Sequence, residues 1–173
     1  MNPEIFMDNF ERTHYGDSIF SSIGRALTIS TRFETNCKML AVNLQLKENK
    51  LFEDEKEFKH FVNVLYKKRL FEDIEIIVNI TEDYSDILHK ARNSRNEIAH
   101  ELTKGLDNTL DFLPKDEVKR LDSTMIELIE NISAGDLVIS FLLSVITKEP
   151  IPNIKFLRAY RNEILQWVMD RTE

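Results

Sequence analysis

The stretch Asp17–Lys47, DSIFSSIGRALTISTRFETNCKMLAVNLQLK, carries Ile19, Phe20, Ile23, Ala26, Leu27, Ile29, Phe33, Met39, Leu40, Val42 and Leu44. Their spacing is mostly three and four, the period of one helical face. The spacing predicts a long amphipathic helix opened by Gly16 and Asp17, with Asp17 or Ser18 as its cap. A helix of that kind must bury its stripe against other helices. Leu46–Phe52 reads as a polar connection. A second helix is predicted over 54–70, with the stripe Phe58, Phe61, Val62, Leu65 and Tyr66. Acidic residues crowd its start and Lys67, Lys68 and Arg69 its end, matching the helix dipole.

Residues 71–80 hold Ile74, Ile76, Ile77, Val78 and Ile80, which favour strands by propensity. A lone strand has no partner in this chain, so helix is the better reading. Thr81 is a candidate cap for the next helix, predicted to run to about Lys104 and stop at Gly105. Residues 106–113 form a loop, and Pro114 opens a helix at a first-turn position. Ser133-Ala134-Gly135-Asp136 predicts a break or kink before Leu137–Thr147. Pro150 and Pro152 make a stiff turn, and a last helix covers 153–171. The whole is an all-α helical bundle, one domain over 1–173.

Composition agrees. In 173 residues there are only four glycines and four prolines, too few breakers for a turn-rich β fold. The net charge is −7 and the sequence pI about 5.2, which argues against a general grip on nucleic acid. A local basic patch can still hold a few phosphates. One cysteine, Cys37, excludes an internal disulfide and a cysteine zinc site, and points to a reducing cytoplasm. Its helical neighbours make it a semi-buried inert thiol rather than a nucleophile. Residues 1–10 carry Glu4 and Asp8 and no basic stretch, unlike a signal peptide. The most apolar run, Leu137–Ile146, is far shorter than the ~20 residues of a membrane helix. It reads as a buried core helix, and no membrane partner is expected.

The segment most suggestive of chemistry is Tyr84–Leu106. At roughly 100° per residue, Tyr84, Leu88, Ala91, Ile98, Leu102 and Leu106 form one apolar stripe. Arg95 falls near its middle. A guanidinium there costs several kcal/mol, in order of magnitude, unless it is paired or hydrogen-bonded. Either a carboxylate holds it or it lines a cleft that needs a fixed cation. Arg92, Asn96 and His100 share an adjoining face at i, i+4 and i+8, with His89 close by. Arg95 and His100 lie ~140° apart, within the swing of a long side chain. A permanent cation, an amide and a titratable imidazole suit RNA cleavage. That reaction needs proton transfer from the 2′-OH and to the leaving 5′ oxygen, and charge stabilisation at phosphorus. Imidazole titrates near ~6.5 and can do either proton transfer. Arginine stays charged. No metal cluster and no cofactor motif is visible.

Arg95-Asn96-Glu97-Ile98-Ala99-His100 resembles the HEPN superfamily motif: arginine, a polar residue, then histidine after four to six intervening residues. The resemblance covers about six residues of one helix. It implies a bundle of four or five helices, here with extra C-terminal helices, usually dimeric, with two motifs facing across the dimer cleft. It implies Arg95, His100 and Asn96 as catalytic, in a metal-independent endoribonuclease; Arg92 and His89 are candidate substrate-binding residues from their place on the wheel, with His89 read first as solvated. RNA and a second copy would be the partners, with an antitoxin or effector protein possible, since many members act in toxin–antitoxin pairs, phage defence or CRISPR effectors. Other members bind nucleotides or proteins without cleaving RNA, so a non-catalytic module is the alternative reading. A plain scaffold with an internal ion pair is the third.

Elsewhere the signals are weaker. His14 and His60 read as surface or boundary residues. Lys67-Lys68-Arg69 reads first as helix-end charge and second as a phosphate contact. Glu53–Glu57 reads first as a helix start and second as a surface for an antitoxin. The echo Arg161-Asn162-Glu163-Ile164 lacks the histidine and is a chance similarity between helices.

Overall fold

A computed structural model describes residues 13–48, 54–81, 83–104 and 114–170. Six helices occupy them, and no strand occurs among the described residues. They are α1 (His14–Glu48), α2 (Glu55–Tyr66), α3 (Leu70–Thr81), α4 (Ser85–His100), α5 (Lys115–Thr147) and α6 (Ile154–Met169).

The first helix is the axis of the bundle. Its buried residues Ile19, Ile23, Ala26, Ser30, Phe33, Cys37, Leu40 and Leu44 step by four and three alternately along the whole helix. That seam is the a/d pattern of helices packed side by side. All five other helices touch α1; α4 and α5 also lie against each other, and α6 lies against α5. The core gathers Phe33 and Leu40 of α1, Ile74 and Ile77 of α3, Leu88 and Ile98 of α4, and Met125, Ile129, Ile132 and Ile139 of α5.

Helix ends follow side-chain chemistry, and several differ from the sequence expectation. Thr13, not Asp17 or Ser18, caps α1: its Oγ1 accepts from the Gly16 amide at 3.0 Å. The segment 54–70 ends early, at Tyr66. Two contacts impose that stop. The Lys38 ammonium takes the Lys68 carbonyl, and Glu72 accepts from the Arg69 amide at 2.7 Å, which starts α3. Residues 70–81 are helical as expected. Thr81 is the last residue of that helix and caps nothing beyond it, because its hydroxyl donates back to the Ile77 carbonyl at 2.9 Å. The next helix ends at His100 and continues only as a turn to Lys104, short of the predicted end. Gly105 and residues 106–113, where a loop is expected, with the stripe position Leu106, lie outside the described residues, as do 1–12.

The expected break at 133–136 is absent; α5 runs unbroken for 33 residues. Gly135 serves close approach instead. A Cβ there would sit 2.4 Å from the Ala91 Cβ of α4 and 3.0 Å from the Phe33 ring. Asp136, fully buried, ties three helices together. Its carboxylate accepts from the Asn36 amide at 3.0 Å and from the Tyr160 hydroxyl, and the Arg32 Nε lies 3.4 Å away. The run Leu137–Ile146 is a correction too. Only Ile139 in it is fully buried, and the rest is half-buried or exposed. Because the helix is continuous, it is long and apolar enough to cross a membrane by length and composition alone. Core helices pass that same test, and this one packs on α1, α4 and α6.

Two stability predictions follow from this packing. Gly135→Ala drives a methyl into Ala91 and should destabilise the fold by about 1–3 kcal/mol or more in a urea titration. Tyr160 has a hydroxyl pKa raised by burial first and by its bond to Asp136 second. A raised folded-state value means its contribution is intact below the ordinary tyrosine pKa of 10.0 and fades as pH climbs beyond it. Tyr160→Phe should therefore cost about 1–3 kcal/mol at neutral pH, by stripping a buried carboxylate of a donor. It should also flatten the alkaline loss of stability, read by urea melts on both sides of that pH.

Candidate functional site

The helix α4 forms because its stripe is buried as the wheel predicts: Leu88, Ala91 and Ile98, with Leu102 in the turn beyond, are buried. That anchors the helix against α1 and α5 and fixes where its polar residues point. Ser94, also buried, accepts from the Asn131 amide at 3.2 Å and locks the register to α5.

Arg95 sits between core and surface, its side chain 22% exposed. It pairs with Glu34 of α1, itself 35% exposed. A second guanidinium nitrogen donates to the Asn96 side-chain oxygen at 3.1 Å. The stripe anomaly thus resolves as a half-buried ion pair between α1 and α4. Neither group is deep enough to carry the full penalty of a buried charge, so the pair contributes on the scale of a surface bridge, about 1 kcal/mol or less.

Past Arg95, Asn93, Asn96, Glu97, His100 and Glu101, all on one face of α4 and the turn after it, line a shallow, wide-open groove of about 610 Å³. His100 is exposed on it as the last residue of α4. Asn96 stands one turn earlier and joins the groove to Arg95. The groove also brings acid. Glu97 and Glu101 face it, and Lys104 binds both Glu101 oxygens at 2.6–2.7 Å. The C-terminal end of α4 adds its partial negative charge. A phosphate entering this groove from one chain alone meets two carboxylates, one of them paired, before any free cation.

The structure divides the sequence candidates. Asn96 and His100 share the groove, and Arg95 borders it through Asn96. Arg92 and His89 lie toward α3 instead. The Arg92 guanidinium carbon stands 5.0 Å from the Phe71 ring centroid, and its nitrogens donate to the Asn93 side-chain oxygen. The His89 Nε2 lies 3.5 Å from a Glu75 oxygen, with its ring 6.3 Å from Phe71. Sequence reading missed Asn93, Glu97 and Glu101 as groove residues. The same helical wheel held the signal for the first two: Asn93 is three residues before Asn96, and Glu97 three before His100. Glu34 and Phe71 carried no local signal.

Other reactive groups are held inert. The Cys37 thiol is buried at the α1 seam, and burial first, then the nearby Asp73, push its pKa well up. Asp73 is buried too, with a pKa raised by burial and pulled back in part by the Lys38 ammonium at 2.7 Å. Among the described residues, no cluster of three or more His, Cys, Asp or Glu is placed to hold a metal ion.

Comparison with protein-family models, with curated proteins and with solved structures returned no match for this chain.

Proposed function

We propose that this protein is a metal-independent endoribonuclease of HEPN type, acting as a homodimer with Arg95, Asn96 and His100 in the active cleft. The observation that carries the reading is the exposed His100 on an open groove, one helical turn from Asn96, whose oxygen holds the Arg95 guanidinium. In the reaction, the 2′-oxygen attacks the adjacent phosphorus and the bond to the 5′ oxygen breaks, leaving a 2′,3′-cyclic phosphate. One imidazole cannot take the 2′-OH proton and protonate the leaving oxygen in the same step. Two copies with facing motifs would supply two imidazoles and two guanidinium groups. Each copy would also bring its own Glu97 and Glu101, so the cleft gains carboxylates together with cations. Asn96 orients Arg95 or holds a phosphate oxygen. A toxin or phage-defence role follows from the resemblance alone.

A second reading has its own observation. The Arg95–Glu34 pair already satisfies the guanidinium, as a plain scaffold with an internal ion pair expects and as a non-catalytic helical module also allows.

The two readings separate in one assay. Single-stranded RNA is incubated with chelator and with wild type, His100→Ala, Arg95→Ala or Glu34→Gln. The nuclease reading expects cyclic-phosphate ends from wild type and a loss of about 100-fold or more in His100→Ala and Arg95→Ala. Glu34→Gln, which frees the guanidinium, should retain cleavage. Equal RNA decay with wild type and His100→Ala removes the nuclease and leaves the binding module and the plain scaffold.

A further inference from the structure

Phe71, at the start of α3, leaves 49% of its surface open. Its ring is flanked by the Arg92 guanidinium and tilted 37° from the His89 ring. Three flat π groups therefore meet where α3 crosses α4. Exposed Lys67 and Arg69 precede the ring in the turn between α2 and α3. No carboxylate pairs with Lys67, Arg69 or Arg92 among the described contacts. The nearby acids are largely engaged: Glu72 with the Arg69 amide, Glu75 with His89, and Asp73 inward with Lys38. With Arg92 at the ring and Lys67 and Arg69 in the preceding turn, three cations stand against the carboxylates of Glu72 and Glu75, a weakly positive segment on a chain of net charge −7.

From this patch, Arg92, Asn96 and His100 follow one per turn along α4. Arg92 to His100 is a rise of about 12 Å. We propose that Phe71, with Arg92 and His89 beside it and the exposed Lys67 and Arg69 in the turn before it, is a stacking subsite for one base of single-stranded RNA whose backbone continues along α4 to the His100 groove. This rests on the nuclease reading and adds to it the strand state of the substrate and its anchoring point. An unpaired base offers a π face to the ring, and its flanking phosphates meet the unpaired cations. A base inside a duplex has both faces covered and cannot reach the ring. The anchor also answers the acidity of the groove, because affinity comes from a patch away from Glu97 and Glu101.

The test uses a short oligoribonucleotide made uncleavable by 2′-O-methylation, so that binding is read apart from chemistry. Phe71→Ala should weaken its Kd about tenfold, the scale of one lost base–aromatic stack. Phe71→Leu keeps apolar bulk without a π face and should weaken it equally. Trp167 is the sole tryptophan, so Phe71→Trp combined with Trp167→Phe places the only indole at the subsite. Its fluorescence should be quenched by the oligonucleotide. Lys67→Ala with Arg69→Ala should reduce the salt dependence of binding. Wild-type affinity in Phe71→Leu, or an unquenched indole while the oligonucleotide binds, overturns the subsite and leaves the nuclease reading intact. A mononucleotide that binds as tightly as the oligonucleotide overturns the strand path. Wild type that neither binds nor cleaves RNA overturns the nuclease reading and the subsite together.

Discussion

Every other described helix leans on α1, and the polar side chains of α1 fix where three of them sit. Asn36 and Arg32 meet the buried Asp136 of α5, Glu34 meets Arg95 of α4, and Lys38 meets Asp73 of α3. The apolar seam of the same helix supplies the bulk of the burial, at about 1.5–3 kcal/mol for each large side chain. Apolar contact is tolerant of sliding; a buried carboxylate is not. Asp136 has no exposure, and losing one of its donors leaves a buried carboxylate short of a hydrogen bond. The polar contacts therefore specify register, while the seam supplies stability.

The candidate site inherits its geometry from that arrangement. Glu34 draws Arg95 toward α1, which leaves Asn96 and His100 as the outward face of α4 and keeps the guanidinium at the groove's border. A phosphate that recruits Arg95 must compete with Glu34 for it. The competition is feasible because the pair is half-exposed and so weakly held. The same feature makes the site dependent on what else approaches. One chain presents its groove with Glu97 and Glu101 on the wall, and a facing copy would bring a second Arg95 and His100 together with a second pair of those carboxylates.

Much of the fold was legible because helical periodicity is a local signal. The stripe of 84–102 reappears as a buried face, and so does most of that of 17–47, although Phe20, Leu27 and Met39 are exposed. What the sequence obscured was non-local. Ser133–Asp136 looks like a break by composition; its glycine lets α5 close on Ala91 and Phe33, and its aspartate is held by residues of α1 and α6. The stop after Tyr66 depends on Lys38, far back in the chain. Thr81 looks like a cap until its hydroxyl turns out to be bonded to the preceding turn. At the site, Arg95 stood out as a charge on an apolar face, yet nothing near it in sequence names Glu34 among thirty acidic residues. Phe71 was equally hidden, since its exposure is set by how α3 crosses α4.

The claim at the centre is that Arg95 and His100 can hold one anionic guest between them. Nuclear magnetic resonance of the arginine side-chain N–H groups and the histidine ring, during titration with an uncleavable 2′-O-methyl RNA strand, tests it most directly. The account predicts that the Arg95 and His100 signals shift together with a common binding curve as the guanidinium leaves Glu34. Arg95 signals that stay fixed while the strand saturates the protein would contradict it and make the pair with Glu34 a purely structural tie.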